Sequence, residues 1–194
     1  MKDRKANRLK GYDYSLDNLY FVTSCVKDMV CCFGVVGTGR DLSGDDAGTD
    51  RAGSGRDLSL PEPRMILNQY GKIADQKWYW FGEQYPYIIL HEFIIMPNHM
   101  HGIIEINREA IVGTGRVRTG RDLSLQPKIK SISEIMGAYK MKVSKEIHLA
   151  GDPEFAWHRS FHDHIIRDEK SYENISRYII NNPNSWDLDK FFRE

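Results

Sequence analysis

The stretch YIILHEFIIMPNHMHGIIEI, residues 87–106, holds two apolar runs joined by a Pro-Asn pair. Their β-branched and aromatic content reads as a largely buried strand over residues 87–96, a break at Pro97 and Asn98, and a second strand over residues 99–106. Runs joined this closely lie side by side. Side chains alternate faces along a strand, so His99 and His101 project from one side, about 6 to 7 Å apart along the backbone. Two neutral imidazoles so placed can share a divalent ion, which would act as a Lewis acid on a phosphoryl oxygen. A His-x-His pair on a half-buried strand is also ordinary surface chemistry, so the pair alone decides nothing.

Outward from this pair, LYFVTSCV (residues 19–26) has strand composition. RMILNQYGKIADQKWYWF (residues 64–81) spaces Ile66, Tyr70, Ile73, Lys77 and Trp80 for a helix, with Gly71 as its weak point. In residues 131–148, Ser131 stands three before Glu134 as in a capping box, and Ile132, Ile135, Met136, Tyr139 and Val143 form one stripe. The tail predicts a short strand around Ile165 and a helix over residues 171–181, stopped by Pro183. Strands and helices alternate without a strict βαβ rhythm, which favours an α+β fold.

The 194 residues suit one domain spanning residues 1–194, and 41% apolar content is enough for a core. No run of eighteen apolar residues occurs, and no apolar segment follows the charges of MKDRKANRLKGYDY, so neither a membrane span nor a secretory signal is expected. Cys25, Cys31 and Cys32 form no C-x-x-C and leave one thiol over, which fits a reducing, cytoplasmic setting and small core or strand positions. A formal charge of zero argues mildly against nucleic acid as a partner. The distribution matters more, because Lys2, Arg4, Lys5, Arg8 and Lys10 crowd the start.

Three near-copies of one peptide interrupt the chain: VGTGRDLS from Val36, AGSGRDLSLP from Ala52 and VGTGRVRTGRDLSLQP from Val112. They are too short and irregularly spaced for a solenoid, and no G-x-x-x-x-G-K-[ST] is present, so they read as flexible loop insertions at about residues 36–63 and 111–127. Back-translation adds a second reading. V-G-T-G-R-D-L-S-L followed by C can be written GTAGGGACAGGTCGCGACCTGTCCCTAC, which is its own reverse complement. This predicts that a short DNA palindrome entered the gene, the copy with Ala52 and Ser54 having since diverged.

EFIIMPNHMHGIIEI resembles the signature strand of single-tyrosine HUH nucleases, and more narrowly of the REP-associated tyrosine transposases, relatives of the IS200-like transposases. The resemblance extends to YFVTSCV, to MILNQYGKIADQKW and to the tail. There Trp157, Arg159, Ser160, Asp163, Ile165, Ile166, Arg167, Ile175, Tyr178, Ile179, Asn182 and Pro183 occupy the places of the family pattern. It implies a ferredoxin-like HUH fold, a central antiparallel sheet with helices packed on it. It also implies a divalent metal, Mg²⁺ or Mn²⁺, on His99 and His101, and a helix tyrosine that attacks single-stranded DNA beside a hairpin. The products would be a 5′-phosphotyrosine link and a free 3′-OH, in a prokaryotic cytoplasm and at the nucleoid when DNA is bound. Dimeric and monomeric members exist, so a homodimer and a monomer both stay open.

Tyr139, on the second helix, is the expected nucleophile, although relatives place the tyrosine after a K-S pair, which here falls on Lys142, and Tyr139 equally suits the apolar stripe. Glu146, seven residues after Tyr139, shares its helical face and is the expected third metal ligand. Lys140, Lys142, Arg159 and Arg167 are the expected DNA contacts. SRYIINNP, with Tyr178 and Ile179, reads as a packing helix, and Trp78, Tyr79, Trp80 and Phe81 as core more than as base-stacking surface. A catalytically inactive hairpin-binding protein is the alternative; a hydrolytic metalloenzyme would need a further strong ligand and a water-activating carboxylate.

Overall fold

In a computed structural model of the chain, the described residues are 11–38, 62–110 and 128–193. The expected insertions at 36–63 and 111–127 lie outside them, apart from 36–38 and 62–63. In chain order the elements are β1 (Asn18–Cys25), β2 (Gly34–Gly37), β3 (Arg64–Leu67), α1 (Gln69–Gln84), β4 (Ile88–Ile95) and β5 (His99–Ile106). There follow α2 (Ile132–Leu149), β6 (His162–Ile166) and α3 (Glu169–Asn181), which runs on into a 3-10 turn at Asn182–Leu188. Among the described residues no helix is long and apolar enough to cross a membrane.

The main sheet has the order β4-β5-β1-β6 with every neighbouring pair antiparallel. Taken as β1-α1-β4-β5-α2-β6, this is the ferredoxin-like arrangement, α+β with an antiparallel sheet. β2 and β3 form a separate hairpin between β1 and α1, with Val36 opposite Met65 and Gly37 opposite Arg64. Val36 and Gly37, the first residues of the expected insertion, are thus strand residues.

Strand alternation sorts the side chains into two layers. Tyr20, Val22, Met100, Ile104, Ile106 and Ile165 face the main core with α1 and α2, while Leu19, Phe21, Ile103 and Ile166 face α3 with Ile175 and Ile179. The long helix expected from residue 64 is instead a strand and a shorter helix. Asn68 separates them: its side-chain oxygen accepts from the backbone N–H groups of Tyr70 and Gly71 at 2.9 and 3.0 Å, a helix N-cap. α2 begins as expected, Ser131 and Glu134 forming the full capping box.

Gly102, beside the two histidines, answers to packing. A Cβ there would lie 2.5 Å from two ring carbons of Trp78, whose indole stacks over Phe93 at 5.2 Å between centroids. The absent side chain lets the largest core residue lie against β5 directly beneath the site.

Candidate active site

β5 turns His99 and His101 toward the α3 side of the sheet, with their Nε2 atoms 3.1 Å apart. Hydrogen bonding orients both rings. Asn98 uses its amide nitrogen on two carbonyls, Met29 O at 3.1 Å and Phe191 O at 2.8 Å, so its oxygen is the atom 2.8 Å from His99 Nδ1. An amide oxygen only accepts, so Nδ1 of His99 donates and its Nε2 carries a free lone pair. Thr23 Oγ1 lies 2.8 Å from His101 Nδ1, and its hydroxyl can accept the equivalent proton of the second ring. With Thr23 accepting, both Nε2 lone pairs converge on one point, where a cation can sit between them.

Both rings are buried, at 0% and 2% exposure. Burial holds the His99 pKa down to about 4, with the Asp189 charge opposing and Lys190 reinforcing. Burial drives His101 well below the usual histidine range, helped by His99 and Lys190. Both imidazoles are therefore neutral, the ligating form, at neutral pH.

Asp189, just past the 3-10 turn, adds a carboxylate, so that ligand atoms of His99, His101 and Asp189 all lie within 4.8 Å of one another. These three residues could hold a metal ion. The backbone N–H of Phe191 donates to Asp189 Oδ1 at 2.7 Å and Asn182 Nδ2 to Oδ2 at 3.3 Å. Asn182 Oδ1 is buried without a protein hydrogen-bond partner and belongs to the same cavity wall. Two imidazoles, a carboxylate and an unsatisfied amide oxygen form a mixed N/O set suited to a divalent cation. Cis ligands at bond lengths of about 2.0–2.1 Å in an octahedron stand about 3 Å apart, close to the spacing of the two nitrogens.

The phenol beside this group belongs to Tyr178 on α3. Its hydroxyl is 3.1 Å from His101 Nε2 and 3.5 Å from Asp189 Oδ2, and the residue is 42% exposed. Burial raises the phenol pKa to about 12, and the Asp189 charge adds to the effect. Phe21 stacks on His101 at 5.4 Å and meets the Tyr178 ring edge-on at 6.3 Å, holding the two in register. A cavity of about 690 Å³ opens over His101 and Tyr178, and Arg177 and Lys190 supply positive charge to its lining.

Tyr139 and Glu146 are not part of this group, which corrects the expectations for both. Tyr139 lies in the core on the opposite face of the sheet, fully buried between Trp78, Phe81 and Trp157, and donates its hydroxyl to Ala74 O at 2.9 Å. Burial, with Asp75 nearby, pushes its pKa far up, so this phenol is a structural donor. Glu146 pairs with Lys77 Nζ at 2.7 Å, bridging α2 to α1.

The expected DNA contacts are likewise elsewhere. Lys140 Nζ donates to His158 O and Ser160 O at 2.8 and 3.1 Å, tying down the loop before β6, and burial lowers its pKa to about 8. Lys142 lies over the Trp80 ring at 4.9 Å. Arg159 and Arg167 are exposed, Arg167 lining a separate cavity with Tyr14 and Asp168. The cations at the histidine cavity, Arg177 and Lys190, escaped the sequence reading. A helical signal existed for part of the site, because Asn174, Tyr178 and Asn182 recur at intervals of four. Asp189 had none, as the 3-10 turn alone brings it back over the sheet.

No protein-family model matches the chain. An uncharacterized protein of Haemophilus influenzae is 31% identical over 191 residues, covering 97% of this chain and 93% of that protein. Among solved structures, a REP-associated tyrosine transposase bound to a REP hairpin is similar with a TM-score of 0.49 at 15% identity, over 91% of this chain and 72% of that one. A putative transposase from Deinococcus radiodurans is similar with a TM-score of 0.44 at 12% identity, over 90% of this chain and 95% of that one.

Proposed function

We propose that this chain, which belongs to the same family as the Haemophilus influenzae protein, is a DNA transposase that cleaves and rejoins single-stranded DNA at palindromic, hairpin-forming elements. The observation that carries this reading is the half-exposed Tyr178 hydroxyl, 3.1 Å from one of two converging imidazoles. The His-x-His strand and the tail pattern that resemble the single-tyrosine HUH transposases point the same way.

In this reading His99, His101 and Asp189 hold Mg²⁺ or Mn²⁺, with Asn182 Oδ1 as a further oxygen donor. A divalent ion so held supplies Lewis acidity toward the phosphoryl oxygens. The remaining work falls to side chains. Arg177 and Lys190 draw the DNA backbone into the cavity. The Tyr178 oxygen attacks the phosphorus, forming the tyrosyl O–P bond as the bond from phosphorus to the 3′ oxygen breaks. Asp189 Oδ2, 3.5 Å away, is placed to take the phenolic proton, and the departing 3′ oxygen takes a proton from solvent to leave as a hydroxyl. The 5′-phosphotyrosine keeps the phosphodiester energy, so the reversal of the step rejoins DNA.

The test is incubation with Mn²⁺ or Mg²⁺ and a labelled palindromic oligonucleotide. Wild-type protein is expected to form a covalent adduct, Tyr178→Phe none, and Tyr139→Phe an adduct as before. A gel shift with no adduct in the wild type would instead identify a hairpin-binding protein that does not cleave.

A further inference from the structure

β4 carries a β-bulge: Leu90 stands opposite Ile104, while Phe93 stands opposite Gly102. Three steps on β4 match two on β5, so one residue is extra, and strict alternation of faces breaks. Leu90 and Phe93 both pack into the main core, and the two residues between them, His91 and Glu92, both turn toward α3.

There they meet a chain of polar groups. The Tyr172 hydroxyl donates to Glu92 Oε2 at 3.1 Å, and Ser176 Oγ donates to the same oxygen at 3.0 Å. His91 Nδ1 lies 3.2 Å from the Tyr172 hydroxyl oxygen. His91 Nε2 donates to Glu105 Oε2 at 2.9 Å, and Asn107 Nδ2 donates to Glu105 Oε1 at 3.0 Å. Through its two ring nitrogens His91 is braced between β5 and α3.

On α3, Ile175 and Ile179 face the sheet. At 3.6 residues per turn, Ser176 and Tyr178 lie about 80° to either side of the line midway between these two isoleucines. Hydrogen bonds on the Ser176 flank therefore fix the roll of the helix that sets the height of Tyr178 on the other flank. A roll of about 10° moves a group about 6 Å from the helix axis by about 1 Å, and a misplacement of about 1 Å in a reacting group can cost about 100-fold in rate.

We infer that the bulge-borne pair His91 and Glu92, with Tyr172, Ser176 and Glu105, is a positioning device that sets the roll of α3 and so holds the Tyr178 hydroxyl against His101. None of the five lies among the groups that touch the reacting atoms. The inference rests on the proposed role of Tyr178 for its catalytic consequence, while its geometric content stands apart from that role.

The test has two arms. In metal-free protein, the ¹⁵N resonance of His101 Nε2 reports its contact with the Tyr178 hydroxyl, 3.1 Å away, and Tyr178→Phe marks its position once that contact is lost. Tyr172→Phe, which keeps the ring in its apolar cluster, is expected to move the resonance toward that mark, and Glu92→Gln, which retains an acceptor oxygen, to move it less. In the second arm Tyr172→Phe is expected to slow adduct formation by about 10- to 100-fold while hairpin affinity and Mn²⁺ affinity stay within about threefold. A His101 resonance unmoved by Tyr172→Phe overturns the inference, as does a wild-type adduct rate in that variant. Absence of any adduct in the wild type counts against the functional reading alone, and the resonance still decides the positioning.

Discussion

Tyr178 and Tyr139 are both helical tyrosines, and their hydroxyl partners separate their chemistry. Tyr139 gives its proton to a backbone carbonyl inside a dry aromatic core, whereas Tyr178 stands at a cavity mouth between an imidazole nitrogen and a carboxylate. Asn98 shows how far the ordering of the site extends beyond the histidines, since three hydrogen bonds of one side chain fix the His99 tautomer. Outer-shell partners of this kind are worth about 10- to 100-fold in metal affinity; calorimetric titration of Asn98→Ala with Mn²⁺ is expected to record a loss in that range. The buried histidines also make a pH prediction. The His99 pKa falls from about 6.5 in the unfolded chain to about 4 when folded, so the folded form binds fewer protons between those values. Their contribution to metal-free stability is fully present above about pH 6.5 and is lost as pH falls through about 4. Urea midpoints followed from pH 7 to pH 4 should decline more steeply in the wild type than in His99→Gln, and parallel curves would refute the assignment.

At the scale of elements, β5 is the strand on which both layers depend. Its even face carries the core and its odd face the site, and Gly102 lets the two approach. Gly102→Ala would push a methyl group into the Trp78 indole, and overpacking of this kind costs about 1–3 kcal/mol. Chemical denaturation should show that loss, together with a changed near-ultraviolet signal from the tryptophan. The boundaries of β5 and the capping box of α2 were legible in the sequence because they depend on local chemistry: a β-branched apolar run after a Pro-Asn break, and a serine three residues before a glutamate. The split at Asn68 was not, because Ile66 and Leu67 fit a helical stripe as well as a strand, and the decision came from pairing with β2. The histidine pair was legible for the same local reason as its strand. Its companions were not, because choosing between Tyr139 and Tyr178 requires knowing which face of the sheet each helix covers. The β4 bulge, which turns two consecutive polar residues the same way, is equally invisible to a period-two reading.

For the molecule as a whole, the repeat-bearing segments enter a ferredoxin-like frame at its connections. Gly37 and Arg64 are register partners, so the hairpin arms can be joined directly. Replacing residues 38–63 by a two-residue Asn-Gly turn is expected to leave the thermal transition cooperative and its midpoint unchanged or higher, because loop-closure entropy changes by only about 0.6 kcal/mol per doubling of length. A broad, non-cooperative transition would mean that the segment contributes to the fold. The coding DNA of the three copies offers a separate check: inverted repeats there support the entry of a palindrome, and ordinary codon choice with no such symmetry removes it. The same frame sets α3 opposite α1 and α2, so that the sheet separates the aromatic core from the site.

The most direct test of the central claim is to find which side chain carries the DNA. After reaction with a palindromic oligonucleotide and Mn²⁺, nuclease trimming and peptide mass spectrometry should locate a nucleotide on Tyr178, within α3. A nucleotide found on Tyr139 or another residue, or no modified peptide under conditions where the hairpin is bound, would contradict it.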